Sequence, residues 1–240
     1  MLIGFEYVGG DAFAASVHSC MNERIINVVI HGLVLLTAFP VHECAHAVTA
    51  YWLGDDTAKK QGRISLNPAR HLDLFGTIMM LFAGFGWAKP VPIDPNNFKN
   101  KKVGMAVSSL AGPLSNFILA YVSMILYKAA AYYLWVNENT AISALGTIFL
   151  YSVYLNVGLA VFNFLPIPPL DGSRIFNLVL PEKVYFKVMK YERVIFGILF
   201  LCIFMGLLDA PLSFLRIKTV YFMDMISGWV DILMIFILGS

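Results

Sequence analysis

Two histidines and a glutamate form the part of the sequence best suited to chemistry. His42, Glu43 and His46 match the pattern H-E-x-x-H, with Cys44 and Ala45 between them. On a helix, residues i and i+4 lie on one face, so both imidazoles can offer a nitrogen to one Zn²⁺. Glu43 can then act as a general base on a water molecule beside that ion. Cys44 points in another direction on a helix, so we do not expect it to be a ligand.

A catalytic zinc site needs a third protein ligand and leaves its fourth position to water. Asp171 is the best candidate, because it ends a long uncharged stretch and follows a segment broken by prolines. A different interpretation stays open, since aspartate also favours the N-cap position of a helix such as the one predicted over 172–180. The remaining candidates are His18, His31, His71 and Asp73.

The composition places these residues in a membrane protein. Apolar residues make up 59% of the 240 and charged residues 13%, whereas soluble domains have about 45–50% and about 25%. No charged residue occurs between Lys102 and Lys128 or between Glu138 and Asp171. Each gap can hold a spanning helix of about 20 residues. Histidine and glutamate are costly in such a helix, which favours a functional role for the H-E-x-x-H pattern.

The apolar segments predict an all-α polytopic membrane protein with about five to six transmembrane segments, forming a single domain over residues 1–240. The first segment carries the H-E-x-x-H pattern and ends near Gly54. The predicted spans are 25–53, 103–134, 141–165, 194–208 and 219–238. Residues 1–23 are expected to form a short interfacial lead-in without the pattern of a signal peptide.

Two shorter elements are expected between the first two spans. Alternating residues within 57–71 predict a short strand or extended turn at the membrane edge. Residues 74–88 are apolar, but basic clusters flank both ends, which predicts a re-entrant segment that dips into the membrane and returns. Glycines and prolines over 84–92 predict irregular backbone there, which membranes tolerate only against protein or a wet cavity.

The basic clusters also predict topology, because basic loops tend to stay in the cytoplasm. They favour this interpretation over nucleic-acid binding, and the net charge is only +2. The loop 137–139 would then lie on the opposite side. Three widely spaced cysteines without a CxxC pattern indicate neither a disulfide framework nor a cysteine-based zinc site. The basic clusters lie at 59–70, 89–102 and 183–193.

Four sequence blocks together resemble the site-2 protease family of intramembrane zinc metalloproteases. They follow one another at 42–46, 85–92, 111–116 and 163–172, and the last contains an asparagine, a proline-rich stretch and Leu-Asp-Gly. The resemblance covers about residues 25–180, the motif-bearing core. No stretch is long enough for an added soluble domain, so the chain resembles a minimal family member.

The resemblance implies a role for each matching residue. His42, His46 and Asp171 would hold Zn²⁺, and Glu43 would activate the water. Asn163 would steady the developing oxyanion or the substrate backbone, although a buried asparagine also serves interhelical hydrogen bonding. The block 111–116, including Asn116, is interpreted as close helix packing, and His71 and Asp73 as residues that fix a loop.

The implied function is a zinc metalloendopeptidase of the cell membrane that cleaves membrane-spanning substrates. Single-span membrane proteins or signal-peptide remnants would be its partners, in regulated intramembrane proteolysis or in remnant clearance. The segment 84–92 could pair with the unwound substrate as an extended edge. The alternative is a non-proteolytic membrane zinc-binding or transport protein. A carrier would spread polar residues along a path, whereas here they concentrate at one depth.

Overall fold

A computed structural model describes residues 23–83 and 88–238. The predicted lead-in over 1–23 therefore falls almost entirely outside the described residues, as does the turn 84–87 with Gly84 and Gly86. The α-helices of the described part, in chain order, are α1 (Glu23–Trp52), α2 (Thr57–Lys60), α3 (Leu74–Ala83), α4 (Lys101–Val136), α5 (Thr140–Asn163), α6 (Asp171–Phe176), α7 (Glu182–Lys190), α8 (Glu192–Phe204), α9 (Asp209–Ile226) and α10 (Gly228–Leu238).

Three of these helices are long and apolar enough to cross a membrane. They are α4, α5 and the part Gly32–Trp52 of α1, and they match the first three predicted spans closely. Helices α8 and α9 meet at an 82° bend and raise the count to four if the pair is one broken span. The described residues thus give three or four candidate spans, and the predicted five to six are not confirmed.

Side-chain caps and prolines determine where the long helices begin and end. Asn100 accepts a hydrogen bond from the Val103 amide at 3.2 Å at the start of α4. Asn139 accepts one from the Ile142 amide at 3.1 Å at the start of α5. Both satisfy amides that have no partner inside the helix. Helix α5 ends at Asn163, before the prolines at 166, 168 and 169, as the sequence predicts.

The predicted span over 219–238 is wrong as a single helix. Helix α9 ends at Ile226, and α10 starts at Gly228. The Ser227 hydroxyl donates to the Asp224 carbonyl at 3.0 Å, so a side chain satisfies one of the carbonyls in the last turn of α9. Hydropathy alone does not detect such a break, because both sides of it are apolar.

The strand predicted within 57–71 is not confirmed, and the described residues contain no β-strand. An isolated antiparallel bridge joins Leu72 to Ala88. The loop instead uses its carbonyls for side chains: Arg70 Nη1 donates to the Gly62 carbonyl at 2.5 Å. A β-ladder needs backbone groups that are free to bond to a partner strand, whereas the Gly62 carbonyl already has a partner within its own loop.

Helix α3 lies within the segment 74–88 that the sequence predicts to be re-entrant, and the re-entrant path stays a prediction. Its ten residues span about 15 Å, half of the hydrocarbon thickness of about 30 Å. Asp73 Oδ1 accepts a hydrogen bond from the Gly76 amide at 2.9 Å and so caps the start of the helix. Asp73 therefore fixes the loop as expected.

The apolar core lies between α4, α5 and α9. Ala120 and Met124 pack there against Val153, Val157 and Met223, all of which are buried. Alanine and valine are small enough to let α4 and α5 approach closely along their length, which is typical of membrane helix pairs.

A buried ion-pair cluster fastens the C-terminal helices to this core. Lys128 of α4 lies 2.9 Å from Asp224 of α9 and 2.9 Å from Asp231 of α10. Lys128 is 7% exposed, so removal of both carboxylates would leave a costly unpaired cation, whereas removal of one leaves the other as its partner.

Asp55 ties the end of α1 to the segment before α4. Its Oδ1 accepts from the Asn97 side-chain amide at 2.8 Å, and its Oδ2 accepts from the Asp94 backbone amide at 2.8 Å. Thr57 donates to it from both its amide and its hydroxyl. Burial would raise the pKa of Asp55, but these hydrogen bonds outweigh it and lower the pKa below its usual value.

Asp55→Asn is expected to destabilise the fold by about 1.5–3 kcal/mol, because the new amide would face the Asp94 N–H, donor against donor. The folded-state pKa of Asp55 is lowered, so its contribution is full above the unfolded-state pKa and is lost as the pH falls through the folded-state value. Thermal unfolding of the detergent-solubilised protein at pH 7 and at pH 3 measures both effects.

The matched control is Asp56→Asn, because the Asp56 side chain is half-exposed and pairs with Lys60 alone among the interactions described for it. This exposed pair contributes little. Equal melting temperatures for the two variants at pH 7 would contradict the role given to Asp55.

Candidate metal centre

Three potential metal ligands meet at the end of the helix bundle where the basic loops lie. His42 Nε2 and His46 Nε2 are 3.0 Å apart. Asp171 Oδ2 lies 3.2 Å from the first and 3.3 Å from the second. These residues form the group of candidate ligands found in the described part of the chain, and both histidines are buried.

Helix α1 and the broken segment after α5 bring these ligands together. His42 and His46 are one turn apart on α1, as the motif predicts. Asp171 is the first residue of α6, whereas Leu170 occupies the N-cap position and makes no side-chain cap. The cap interpretation of Asp171 is therefore wrong, because its carboxylate faces the imidazoles.

Gly172 allows this placement of Asp171. A Cβ at residue 172 would lie 2.3 Å from the Phe164 carbonyl oxygen and 2.4 Å from that of Leu165. These atoms belong to the backbone, so they cannot move aside cheaply. A side chain here would push the Asp171 backbone away from the histidines.

Helix α4 forms the opposite wall of the site through Gly112. A Cβ at residue 112 would lie 2.4 Å from both Cε1 and Nε2 of His46 and 2.7 Å from Cε1 of His42. The absence of a side chain therefore lets the helix backbone pack against both rings. The close packing predicted for block 111–116 is an imidazole-to-helix contact.

The second nitrogen of each imidazole is held by α4. His46 Nδ1 lies 2.7 Å from the Ser108 carbonyl oxygen, and His42 Nδ1 lies 2.5 Å from Asn116 Oδ1. A carbonyl oxygen only accepts hydrogen bonds, so Nδ1 of His46 carries a proton, and Nε2 is the nitrogen that faces the other two candidate ligands. Such partners orient metal-binding histidines and raise their basicity.

A chain of buried amides determines the tautomer of His42. The Ser152 carbonyl accepts from Asn156 Nδ2 at 2.9 Å, and Asn156 Oδ1 accepts from Asn116 Nδ2 at 2.7 Å. This leaves Asn116 Oδ1 as an acceptor, so His42 Nδ1 must donate. The backbone of α5 thereby orients a ring of α1 through two asparagines.

The three ligands fit Zn²⁺. Two Nε2 lone pairs and a carboxylate oxygen converge with separations of 3.0–3.3 Å. Zinc bonds of about 2.0–2.1 Å in tetrahedral geometry require ligand separations of about 3.3 Å. Three acceptors this close repel one another unless a cation lies between them. Nitrogen and oxygen donors in a set of three also leave room for a fourth ligand, as catalytic zinc sites do.

Glu43 lies beside this group without belonging to it. It is buried, and its Oε2 accepts a hydrogen bond from the Val91 amide at 3.0 Å. The other carboxylate oxygen is left to bind water or substrate. A carboxylate next to a metal centre, held through one oxygen, can move a proton.

The remaining candidates lie elsewhere in the structure. The Asn163 amide donates to the Leu159 carbonyl of its own helix at 2.9 Å, so nothing described brings it to the metal ligands. His71 is fully buried and bonds through Nε2 to the Ser65 carbonyl, as expected for a residue that fixes the loop. Cys44 is outside the three-ligand group. His18 falls outside the described residues.

Burial and charge act in opposite directions on Asp171. Burial would raise its pKa, but the neighbouring imidazoles outweigh burial and hold the pKa of this carboxyl well below its usual range. The residue is therefore ionised at neutral pH and is available as a ligand.

The sequence reasoning missed the network behind the ligands. Asn156 was not considered, and Asn116 was interpreted as packing only. The available signal was an asparagine near the middle of each uncharged span, since a buried amide in lipid requires a partner. Ser108 could not have been found, because it acts through its backbone carbonyl.

Comparison with known proteins agrees with this geometry. The sequence model of peptidase family M50 matches residues 129–206. The chain is 44% identical over 172 residues to "Putative zinc metalloprotease YwhC" of Bacillus subtilis, which covers 72% of this chain and 78% of the relative. It is 30% identical over 142 residues to "Putative zinc metalloprotease Rip2" of Mycolicibacterium smegmatis, covering 57% of this chain and 52% of that relative. No solved structure matches the chain.

Gly112→Ala is expected to weaken Zn²⁺ binding by about 10–100-fold, the range seen when the orientation of ligands is disturbed. The new methyl would push both imidazoles apart from Asp171. Competition with a zinc chelator measures the affinity. Gly197→Ala is the control, because a Cβ there meets nothing within 4 Å; equal affinities would contradict the contact.

Asn116→Ala is expected to weaken Zn²⁺ binding by a similar factor, about 10–100-fold, because His42 loses the acceptor that orients its ring. Asn116→Asp should retain more affinity, since a carboxylate accepts from Nδ1 equally well. Chelator competition again gives the affinities. If alanine and aspartate at this position behave alike, the acceptor role is wrong.

Proposed function

Because the chain belongs to peptidase family M50, it is an intramembrane zinc metallopeptidase of the site-2 protease type, and we propose that it cleaves membrane-spanning segments of other proteins. The observation that carries this proposal is the convergence of His42, His46 and Asp171 beside the buried Glu43. Three of these residues, His42, Glu43 and His46, lie within a candidate span, so the reaction would occur inside the membrane boundary.

The proposed ligands are His42, His46 and Asp171, and the proposed general base is Glu43. When bound, zinc supplies a Lewis acid that polarises a carbonyl and makes water more acidic. The Nδ1 atom of each imidazole is engaged by α4, through Asn116 and the Ser108 carbonyl, so Nε2 is the nitrogen that each ring would offer to the ion.

Glu43 would move the protons of the reaction. Its Oε2 is held by the Val91 amide, so its other oxygen takes a proton from the attacking water. The same carboxyl then returns a proton to the leaving amine, which completes hydrolysis of the peptide bond. Burial of Glu43 keeps this transfer away from bulk solvent.

Asn163 keeps its proposed role as a donor to the oxyanion or the substrate backbone. Its amide is bound to the Leu159 carbonyl. A rotation of the side chain would have to release that bond when substrate is present.

We propose that the substrates are single-span membrane proteins or signal-peptide remnants in the cell membrane. The site residues on α1 lie within a candidate span, so a substrate reaches them from the bilayer. A substrate helix must then unwind to expose its peptide bond. The basic loops around the site favour an opening toward the cytoplasm. Residues 84–92 would then pair with the unwound substrate.

The proposed domain is a single membrane-embedded unit of residues 1–240 with about five to six spans. The bent pair α8–α9 would supply a fourth span, and the eleven-residue helix α10 would cover part of a further one. Membership of a peptidase family makes the alternative of a non-proteolytic zinc carrier unnecessary.

Glu43→Gln is expected to retain zinc and to abolish cleavage, because an amide cannot accept the proton of water. Asp171→Asn should lose both zinc and cleavage. The measurement is cleavage of a single-span reporter in proteoliposomes, together with zinc content by elemental analysis.

Glu138→Gln provides the matched control, since Glu138 is exposed in the loop far along the chain from the site. Full cleavage by the Glu43→Gln protein would refute the proposed mechanism.

A further inference from the structure

A short extended segment, Ala88–Val91, lies against the proposed base. Residues 90 and 92 are prolines and have no backbone N–H. Val91 therefore carries the one backbone donor among residues 90–92, and that donor is bound to Glu43 Oε2 at 3.0 Å. In the sequence Pro-Val-Pro, only the Val91 amide can donate a hydrogen bond to the Glu43 carboxylate, because the two neighbouring prolines have no N–H.

Lys89 is held from both sides, two residues before this amide. Its backbone N–H donates to the His71 carbonyl at 2.7 Å. Its carbonyl accepts from Arg63 Nη2 at 2.5 Å. Because the proline at 90 follows directly and restricts the chain, fixing Lys89 also restricts where the Val91 amide can lie.

Arg63 is an unusual residue for this loop, because it is only 6% exposed. Its backbone amide donates to the Ala58 carbonyl at 2.9 Å, which ties it to the end of α2. Its Nε is buried and has no hydrogen-bond partner. Burial lowers the pKa of Arg63, and the negative charge of Glu43 opposes that shift.

We propose that Arg63 is a positioning residue for peptide hydrolysis, which holds Ala88–Val91 so that the Val91 amide orients Glu43. This inference rests on the proposed function. Arg63 touches neither the metal ligands nor, by its described contacts, the carboxylate of Glu43. It acts through the Lys89 carbonyl and the Val91 amide.

Arg70 offers a matched comparison within the same loop. Its Nη1 donates to the Gly62 carbonyl at 2.5 Å, so it also makes an arginine-to-backbone hydrogen bond. It is exposed, and its described hydrogen bond stays within the loop. If Arg63 served only to hold the loop together, the two arginines would have similar effects on catalysis.

The experiment measures kcat and KM for a single-span reporter in proteoliposomes, with zinc content as a second readout. Arg63→Met is expected to lower kcat by about 10–100-fold, the range for loss of a hydrogen bond to a charged group. KM should change by less than about twofold, because the base and not the substrate loses its position. Zinc content should stay equal to that of the wild type.

Arg63→Lys tests the same point if Arg63→Met folds poorly. A lysine retains the charge and one donor, so it should recover most of the lost kcat. Arg70→Gln should leave kcat within about twofold of the wild type. A loss of kcat equal to that of Arg70→Gln, a rise in KM alone, or no recovery by lysine would overturn the proposal.

Val91→Pro gives an independent arm, because it removes the N–H that binds Glu43, and its ring also fixes φ at residue 91. Val91→Ala is its control and retains the N–H. If Arg63 and Val91 act on Glu43 through the same series of contacts, the double variant Arg63→Met/Val91→Pro should lose no more kcat than the more impaired single variant. Additive losses would overturn the proposal.

The outcome for the wild type separates this inference from the proposed function. If the wild type does not cleave the reporter, or if Glu43→Gln still cleaves it, the proposed function fails. If the wild type cleaves and Glu43→Gln does not, but Arg63→Met behaves as Arg70→Gln does, the positioning role alone fails.

Discussion

The orientation of two imidazoles by buried hydrogen bonds is the constraint on which the site depends. The Nδ1 atoms of His42 and His46 donate to Asn116 and to the Ser108 carbonyl, both on α4. Their Nε2 atoms are thereby turned toward Asp171 as lone pairs. Without that orientation, three acceptors would not stay within 3.3 Å of one another. A metal centre in an apolar bundle thus needs a second layer of polar groups that are themselves satisfied.

This requirement explains the choice of small and polar residues in the long helices. Gly112 lets α4 touch both rings, and Gly172 lets the chain turn Asp171 inward. Asn156 connects the α4 amide to a carbonyl of α5. Each helix therefore contributes to the site through a contact that a larger or apolar residue would remove. The rest of the pair α4–α5 is filled by alanine, valine and methionine.

The loop between α1 and α4 holds the backbone that binds Glu43, just as α4 holds the imidazoles of His42 and His46. Asp55 and Arg63 are both buried charges that bind backbone groups of 89–97. Charged side chains are suited to this task, because a hydrogen bond to an ionised group is stronger than one between neutral groups. Irregular backbone is thus held in place beside Glu43 without a regular strand ladder.

The sequence by itself determined the chemistry and the main helices. A motif with i, i+4 spacing places His42 and His46 on one face whatever the rest of the fold does, and uncharged runs of the right length determine α4 and α5. The placement of Asp171 beside the two imidazoles rather than at the N-cap was decided by tertiary structure, because one residue type suits both positions. The same holds for Asn116, whose amide oxygen faces His42. These features depend on which distant atom faces a side chain or an N–H, and local spacing carries no information about that atom.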